Sequence, residues 1–225
     1  SIRGNPDQLG TSLPVGQATV QPQVRSGSSN QVPNLINTGA IYTTEGTQLY
    51  TLCLNYANGP FSLGAQYDAQ MFGNSYVGGL PGMPFNPNAP GSVKPVGNLY
   101  FDGFSIEALC FLTPGDHRGV NKMAPAFLQV IPMQNFSFGS GGGLTGKGAW
   151  EVGVKYDFVR SQFQVPDDPS PMGGYLGSTT LGLNWYLNPS ALIMANYVYT
   201  TGFFGPQGPG DAAFHSFGTR FQFNF

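Results

Sequence analysis

The final stretch of the chain alternates without a break. Phe217, Thr219, Phe221, Phe223 and Phe225 fall on one parity, and Ser216, Gly218, Arg220, Gln222 and Asn224 on the other. Successive side chains of a β-strand point to opposite faces, so this period of two specifies a strand with one aromatic and one polar face. A strand in a soluble sandwich hides such a row under a second sheet and then runs on into a loop. Here the row runs to Phe225, as it does where a transmembrane barrel ends its chain. The expectation is an all-β chain, a transmembrane antiparallel β-barrel whose strands each carry one lipid face and one wet face.

Composition fits that expectation. Only 9% of residues are charged, where a soluble domain carries about a quarter. Aromatics reach 14%, yet mean hydropathy is −0.11. No apolar run approaches the ~20 residues of a membrane helix. Strands that are apolar on one face only produce this combination. A formal charge of −2 with no basic run leaves no nucleic-acid footprint. Gly141-Gly142-Gly143 with Lys147 lacks the spacing of a phosphate loop. His117 and His215 lack partners for a metal or a catalytic triad. No nucleophile elbow or paired-carboxylate signature occurs. Neither an enzyme nor a cofactor is expected.

Residues 1–47 have little period and are rich in Gly, Gln, Asn, Ser, Thr and Pro. They read as a loop-rich segment, expected to be extracellular. Alternation then predicts strands over 49–57, 61–71, 100–112, 149–158, 178–187, 191–200 and 217–225. Asn58-Gly59-Pro60 and Asn188-Pro189-Ser190 mark tight turns. Each apolar row covers about nine to eleven residues, enough to cross a bilayer at a tilt. The opposite rows hold Asp68, Glu107, Glu151, Lys155, Asp157 and Arg220. Charges at alternate positions are costly in a dry core and cheap beside water, so the interior is expected to be wet. Cys53 falls on the inward parity and Cys110 on the lipid parity, which argues against a disulfide.

Short turns of such barrels lie in the periplasm. With 58–60 and 188–190 on that side, residues 113–147 must cross the membrane an even number of times. They offer no lipid-facing row, so they are expected to be a long periplasmic segment, without a crossing, that folds back into the lumen with Arg118 and Lys122. Trp150, Trp185, Tyr56, Phe61 and Phe225 then form an inner aromatic girdle, and Tyr67, Tyr199, Phe158 and Phe217 an outer one, with Tyr197 among the membrane-facing aromatics. Phe221, Phe223 and Phe225 are expected to be the signal read by the barrel-assembly machinery. Seven strands leave two open edges, which lipid cannot satisfy. The chain is therefore expected to be the C-terminal portion of a larger barrel. The alternative is one further strand within 1–47 and a complete eight-stranded barrel.

Several stretches resemble one family, the phosphate-selective porins O and P. They are Gly148-Ala149-Trp150-Glu151-Val152-Gly153-Val154-Lys155-Tyr156, then Thr180-Leu181-Gly182-Leu183-Asn184-Trp185-Tyr186-Leu187-Asn188-Pro189, and Met194-Ala195-Asn196-Tyr197-Val198. Thr38-Gly39, Gly59-Pro60-Phe61-Ser62-Leu63, Phe101-Asp102-Gly103-Phe104, and Phe111-Leu112-Thr113 before His117-Arg118 occur in the family's order. The resemblance spans roughly residues 35–225. It implies a 16-stranded, homotrimeric porin of the bacterial outer membrane, of which this chain is about the last seven strands. It also implies passage of anions, phosphate among them, along a lumen lined by Arg and Lys. Here nine Lys plus Arg face eleven Asp plus Glu. Lys155 and Arg220 take lumen-facing strand positions, and Glu107, Glu151 and Asp157 share that lumen. The resulting reading is a passive diffusion channel for small hydrophilic solutes or ions, with the lipid bilayer and the N-terminal half of the barrel as partners. The alternative is a structural or surface-interaction barrel whose lumen is plugged by 113–147 or by 1–47. A soluble β-sandwich leaves the inward charges unexplained.

Overall fold

The structure, a computed structural model, describes residues 19–20, 36–38, 40–43, 45–78, 93–121, 123–124, 126–166, 172–204 and 210–224. Its described residues form strands and no helix. β1 (Thr19–Val20) pairs with β2 (Ile36–Asn37), and β3 is Ala40–Thr43. The long strands are β4 (Thr47–Asn58), β5 (Phe61–Gly78), β6 (Val93–Phe111), β9 (Ala149–Arg160), β10 (Tyr175–Asn188), β11 (Ala191–Phe203) and β12 (Asp211–Phe223). Between β6 and β9 the described residues hold the short strands β7 (Ser137–Phe138) and β8 (Leu144–Gly146), which pair with each other.

One antiparallel, curled sheet runs β12-β11-β10-β9-β6-β5, with β4 and β3 both on the far edge of β5. β4 pairs with the Phe61–Phe72 part of β5, and β3 with Ser75–Gly78. They are therefore one stave, interrupted between Thr43 and Thr47, where Gly73 N–H donates to Gly46 O at 3.1 Å. Opposite this break β5 shifts register and Asn74 takes a φ of 44°. So β3, the one described strand of residues 1–47 that joins this sheet, lengthens an existing stave. β12 and β4 do not pair with each other, and the sheet is a half-barrel with two open edges.

The seven long strands are those that the alternation predicts, but several run further at the ends joined by long loops. β12 starts at Asp211, which puts Phe217 at its midpoint, opposite Tyr197 at the midpoint of β11. Neither stands at a rim, so the outer-girdle position expected for Phe217 is corrected. The sheet is also staggered. Tyr56, near the tight turn of β4, shares a transverse row with Val154, Leu181 and Phe217, whereas β12 continues to Phe223. Strands of a closing barrel tilt in this way.

The two faces differ as the pattern requires. On the outer face Leu52 is 72% exposed and Leu54 68%, whereas Glu151 on the inner face is 0% exposed. The inner face is capped at both ends. At the loop end, Ile41, Phe163, Val165 and Met172 cover Phe72, Leu99 and Phe101. Ile36 and Phe204 cover Leu176, with Val159 and Phe214 beside them. At the turn end, Val130 covers Phe111, Ala149 and Tyr186. Between the caps the wall is polar.

Candidate functional site

The polar belt is built by parity. Gly64 on β5, Glu107 on β6, Lys155 on β9 and Thr180 on β10 form one transverse row. Gln66, Ser105, Asp157 and Ser178 form the next. Lys155 Nζ bonds Asp157 Oδ1 at 2.8 Å. Glu107 lies over Gly64, where an added Cβ would come within 2.8 Å of its Oε1. Asp68 accepts hydrogen bonds from Thr51 Oγ1 and Gln66 Nε2, each at 2.7 Å. A cavity of about 180 Å³ opens between Cys53, Asn55, Gln66, Ser105, Glu107 and Lys155. Asp157 Oδ2 and Thr180 Oγ1 are buried beside the belt and make no hydrogen bond among the described residues. The belt thus presents fixed dipoles and one cation, Lys155, among the carboxylates of Asp68, Glu107 and Asp157.

At the turn end, residues 113–148 supply a second polar cluster. Arg118 grips Glu151 through Nε at 2.9 Å and Nη2 at 2.7 Å, a two-pronged charge-assisted contact. Tyr186 Oη donates to Glu151 Oε2 at 3.0 Å and Asn184 Nδ2 at 2.9 Å. The Phe127 ring lies 5.5 Å from the Arg118 guanidinium carbon. Burial alone would lower the pKa of Arg118. The hydrogen bond to Glu151 and the surrounding negative charge outweigh it and hold the guanidinium above its ordinary value. Removing two charges from water is costly, and such a pair persists only with good geometry and further hydrogen bonds; the Glu151 carboxylate accepts four here.

The rest of this segment is a strap over the rim. Met133 N–H donates to Asp116 Oδ1 at 2.7 Å, closing its inner loop. Gln129 Nε2 reaches Pro189 O at 2.5 Å, and Phe136 N–H reaches Leu187 O at 2.6 Å, both beside the 188–190 turn. The chain then emerges on the outer face. There the Phe136 ring meets the Trp185 ring edge-on at 5.0 Å, and Trp185 stacks on Trp150 at 4.7 Å. It rejoins β9 through Gly148, whose φ is +67° and where an added Cβ would lie 2.4 Å from Tyr186 O. Glycine alone fits there.

The structure thus distributes the expected site residues. Glu107, Lys155 and Asp157 share the mid-wall. Arg118 and Glu151 meet at the turn end, which takes Arg118 away from free contact with an anion. His117 Nδ1 lies 3.1 Å from Gly115 O. Arg220 stands apart on β12, opposite Met194, and is exposed. Lys122 and Phe225 lie outside the described residues. Tyr56, Phe61, Phe221 and Phe223 are exposed on the outer face. Tyr197 Oη bonds His215 Nδ1 at 2.6 Å, and Tyr199 packs on the same imidazole at 4.8 Å. Sequence reasoning missed Tyr186 and Asn184 as partners of Glu151, although their inward parity was available. It also missed the Arg160–Asp102 ion pair, 3.0 Å, at the loop end of the outer face.

The profile of one family, described as phosphate-selective porin O and P, matches residues 134–225. That range holds β7 to β12 and includes Glu151, Lys155, Asp157 and Arg220. No curated protein and no solved structure matches the chain.

Proposed function

We propose that the chain is part of an outer-membrane porin, a passive diffusion channel for small hydrophilic solutes or ions, a reading supported by the match of residues 134–225 to the profile of the phosphate-selective porin O and P family. The observation that carries this reading is the split between an exposed apolar outer face and an inner face holding paired charges. Passage of this kind needs a wet wall and a constriction whose charges weigh a solute against its hydration. The free edges of β4 and β12 require further strands, because lipid satisfies no backbone group. The described residues of 113–136 narrow the periplasmic side, and residues 161–166 and 172–174 the external side. Three copies assemble, and the machinery that inserts barrels reads Phe221 and Phe223. Of the inner-wall cations Arg118, Lys155 and Arg220, only Arg220 enters no salt bridge among the described residues. A preference for anions such as phosphate would then come mainly from the strands that complete the barrel.

The test is the reversal potential of the natively purified protein in a planar bilayer under a salt gradient, followed by added phosphate. Conductance with anion preference and phosphate block is the family function, and conductance without either is a general porin. Absence of conductance would overturn the channel reading in favour of a plugged, surface-interacting barrel, for which the caps on both ends of the inner face speak.

The two free thiols report the faces independently. Cys53 pairs across to Gln66 on the inner face, and Cys110 to Phe61 and Val152 on the outer. A charged, membrane-impermeant methanethiosulfonate should modify Cys53 and reduce conductance, and Cys53→Ser should abolish the effect. Modification of Cys110 at a similar rate would contradict the assigned faces.

A further inference from the structure

The strap's outer half carries a feature that a channel wall does not need. β7 and β8 form a hairpin outside the sheet, at the height of the Trp150–Trp185 stack. Ser137 Oγ and Thr145 Oγ1 bond each other at 2.9 Å, so the hairpin's polar groups are satisfied on one side. Phe138 and Leu144, cross-strand neighbours, are 66% and 52% exposed. Phe138 packs edge-on to Phe136 at 5.1 Å, and Phe136 in turn packs on Trp185, so the apolar surface is continuous with the aromatic girdle. Trp185 Nε1–H is satisfied by Lys147 O at 2.8 Å, which ties the base of the hairpin to that ring. The tip, Gly139-Ser140-Gly141-Gly142-Gly143, is uncharged, and Lys147 is the single charge from Gln134 to Gly148.

We propose that the β7–β8 hairpin is a foot that lies in the periplasmic-leaflet interface of the bilayer and binds phospholipid, with Phe138 and Leu144 at the acyl boundary and Lys147 near the phosphates. It rests on the membrane reading above. Three observations select lipid over a protein partner: continuity with the outer-face aromatic girdle, the exposed apolar pair Phe138 and Leu144 beside it, and the lone cation Lys147 at the hairpin's base. Each half of the strap thus has its own task. The inner half shapes the lumen, and the outer half fixes the rim of β9 and β10 to the membrane.

The experiment places an environment-sensitive nitrobenzoxadiazole label at Leu144→Cys in the complete protein, with Cys53→Ser and Cys110→Ser, reconstituted in phosphatidylethanolamine/phosphatidylglycerol vesicles. A second sample carries the label at Leu54→Cys, on the outer face of β4. The expected result is a blue-shifted emission at position 144 that shallow nitroxide lipids quench and aqueous iodide does not. Free quenching by iodide would overturn the proposal and leave a solvent-exposed hairpin. Protection from both quenchers, together with cross-linking between copies through Leu144→Cys, would overturn it in favour of a protomer contact. If Leu54→Cys also escapes lipid quenching, the membrane reading fails, and the proposal with it. Replacing Phe138 and Leu144 together by Asp should move a label at Ser140→Cys from lipid to iodide quenching while conductance persists.

Discussion

Glu151→Gln should destabilise the turn end of the wall by about 3–5 kcal/mol, the usual loss when one partner of a buried ion pair is removed. Glu151 is 0% exposed, and its carboxylate gathers Arg118, Tyr186 and Asn184. The amide keeps the shape and loses the charge, so the guanidinium of Arg118 remains half-gripped under Phe127. Between the strap's two ends, which Thr113 and Lys147 tie to Trp150 and Trp185, its other polar contacts with the sheet among the described residues include Gln129 to Pro189 and Phe136 to Leu187. Its inner half should therefore loosen before the barrel unfolds. Two readouts check this: a lower thermal midpoint in detergent, and larger or noisier single-channel currents. Pairing Glu151→Leu with Arg118→Met should recover much of the stability, because it removes both charges and leaves no orphan. An unchanged midpoint in Glu151→Gln would mean that water reaches the pair and that the strap is not latched there. The sign of the pH effect also follows. Arg118 has its pKa raised, so its contribution is complete below its ordinary value and is lost only above the raised one. The guanidinium lends the latch no pH dependence in the working range.

The strands were legible because alternation is a local signal, and each long strand except β6 shows it cleanly. β6 reads poorly for a physical reason. Leu99, Phe101 and Phe111 put apolar side chains on the inner face, where the loop-end and turn-end caps cover them. A strand that is apolar on both faces loses its period. The same holds for the loop-end extension of β5, where the bulge at Asn74 breaks the parity. The strap was legible only as a length of chain without a lipid-facing row. Its defining contact, Arg118 to Glu151, joins residues 33 apart. Nothing in the neighbourhood of either residue names the other. Its passage from the inner face to the outer one depends on Phe136 meeting Trp185, which no spacing rule encodes. Phe217 failed for the opposite reason. The alternation is real, but the strand had already begun at Asp211, and a count from the aromatic run misplaced its middle as its start.

The sharpest separation of the two faces comes from adding one positive charge to each. Leu181 sits near the middle of β10, 53% exposed on the outer face, between Val154 and Tyr197. Leu181→Arg should cost about 2–4 kcal/mol in lipid, because its guanidinium would lie near the bilayer midplane. Gln66→Arg, on the inner face of β5, places the same group beside Asp68, with which Gln66 already bonds at 2.7 Å. It should leave stability nearly unchanged and shift the reversal potential toward anions. Urea titration in lipid vesicles gives the first quantity, and the planar bilayer gives the second. A soluble sandwich would rank these variants differently, since one sheet face there packs against another and the solvent-facing one accepts either charge. Equal tolerance of both arginines would therefore remove the outer face from lipid and, with it, the barrel. A large loss at Leu181 alone, joined to altered selectivity at Gln66, requires a hydrocarbon on one side of the same sheet and mobile ions on the other.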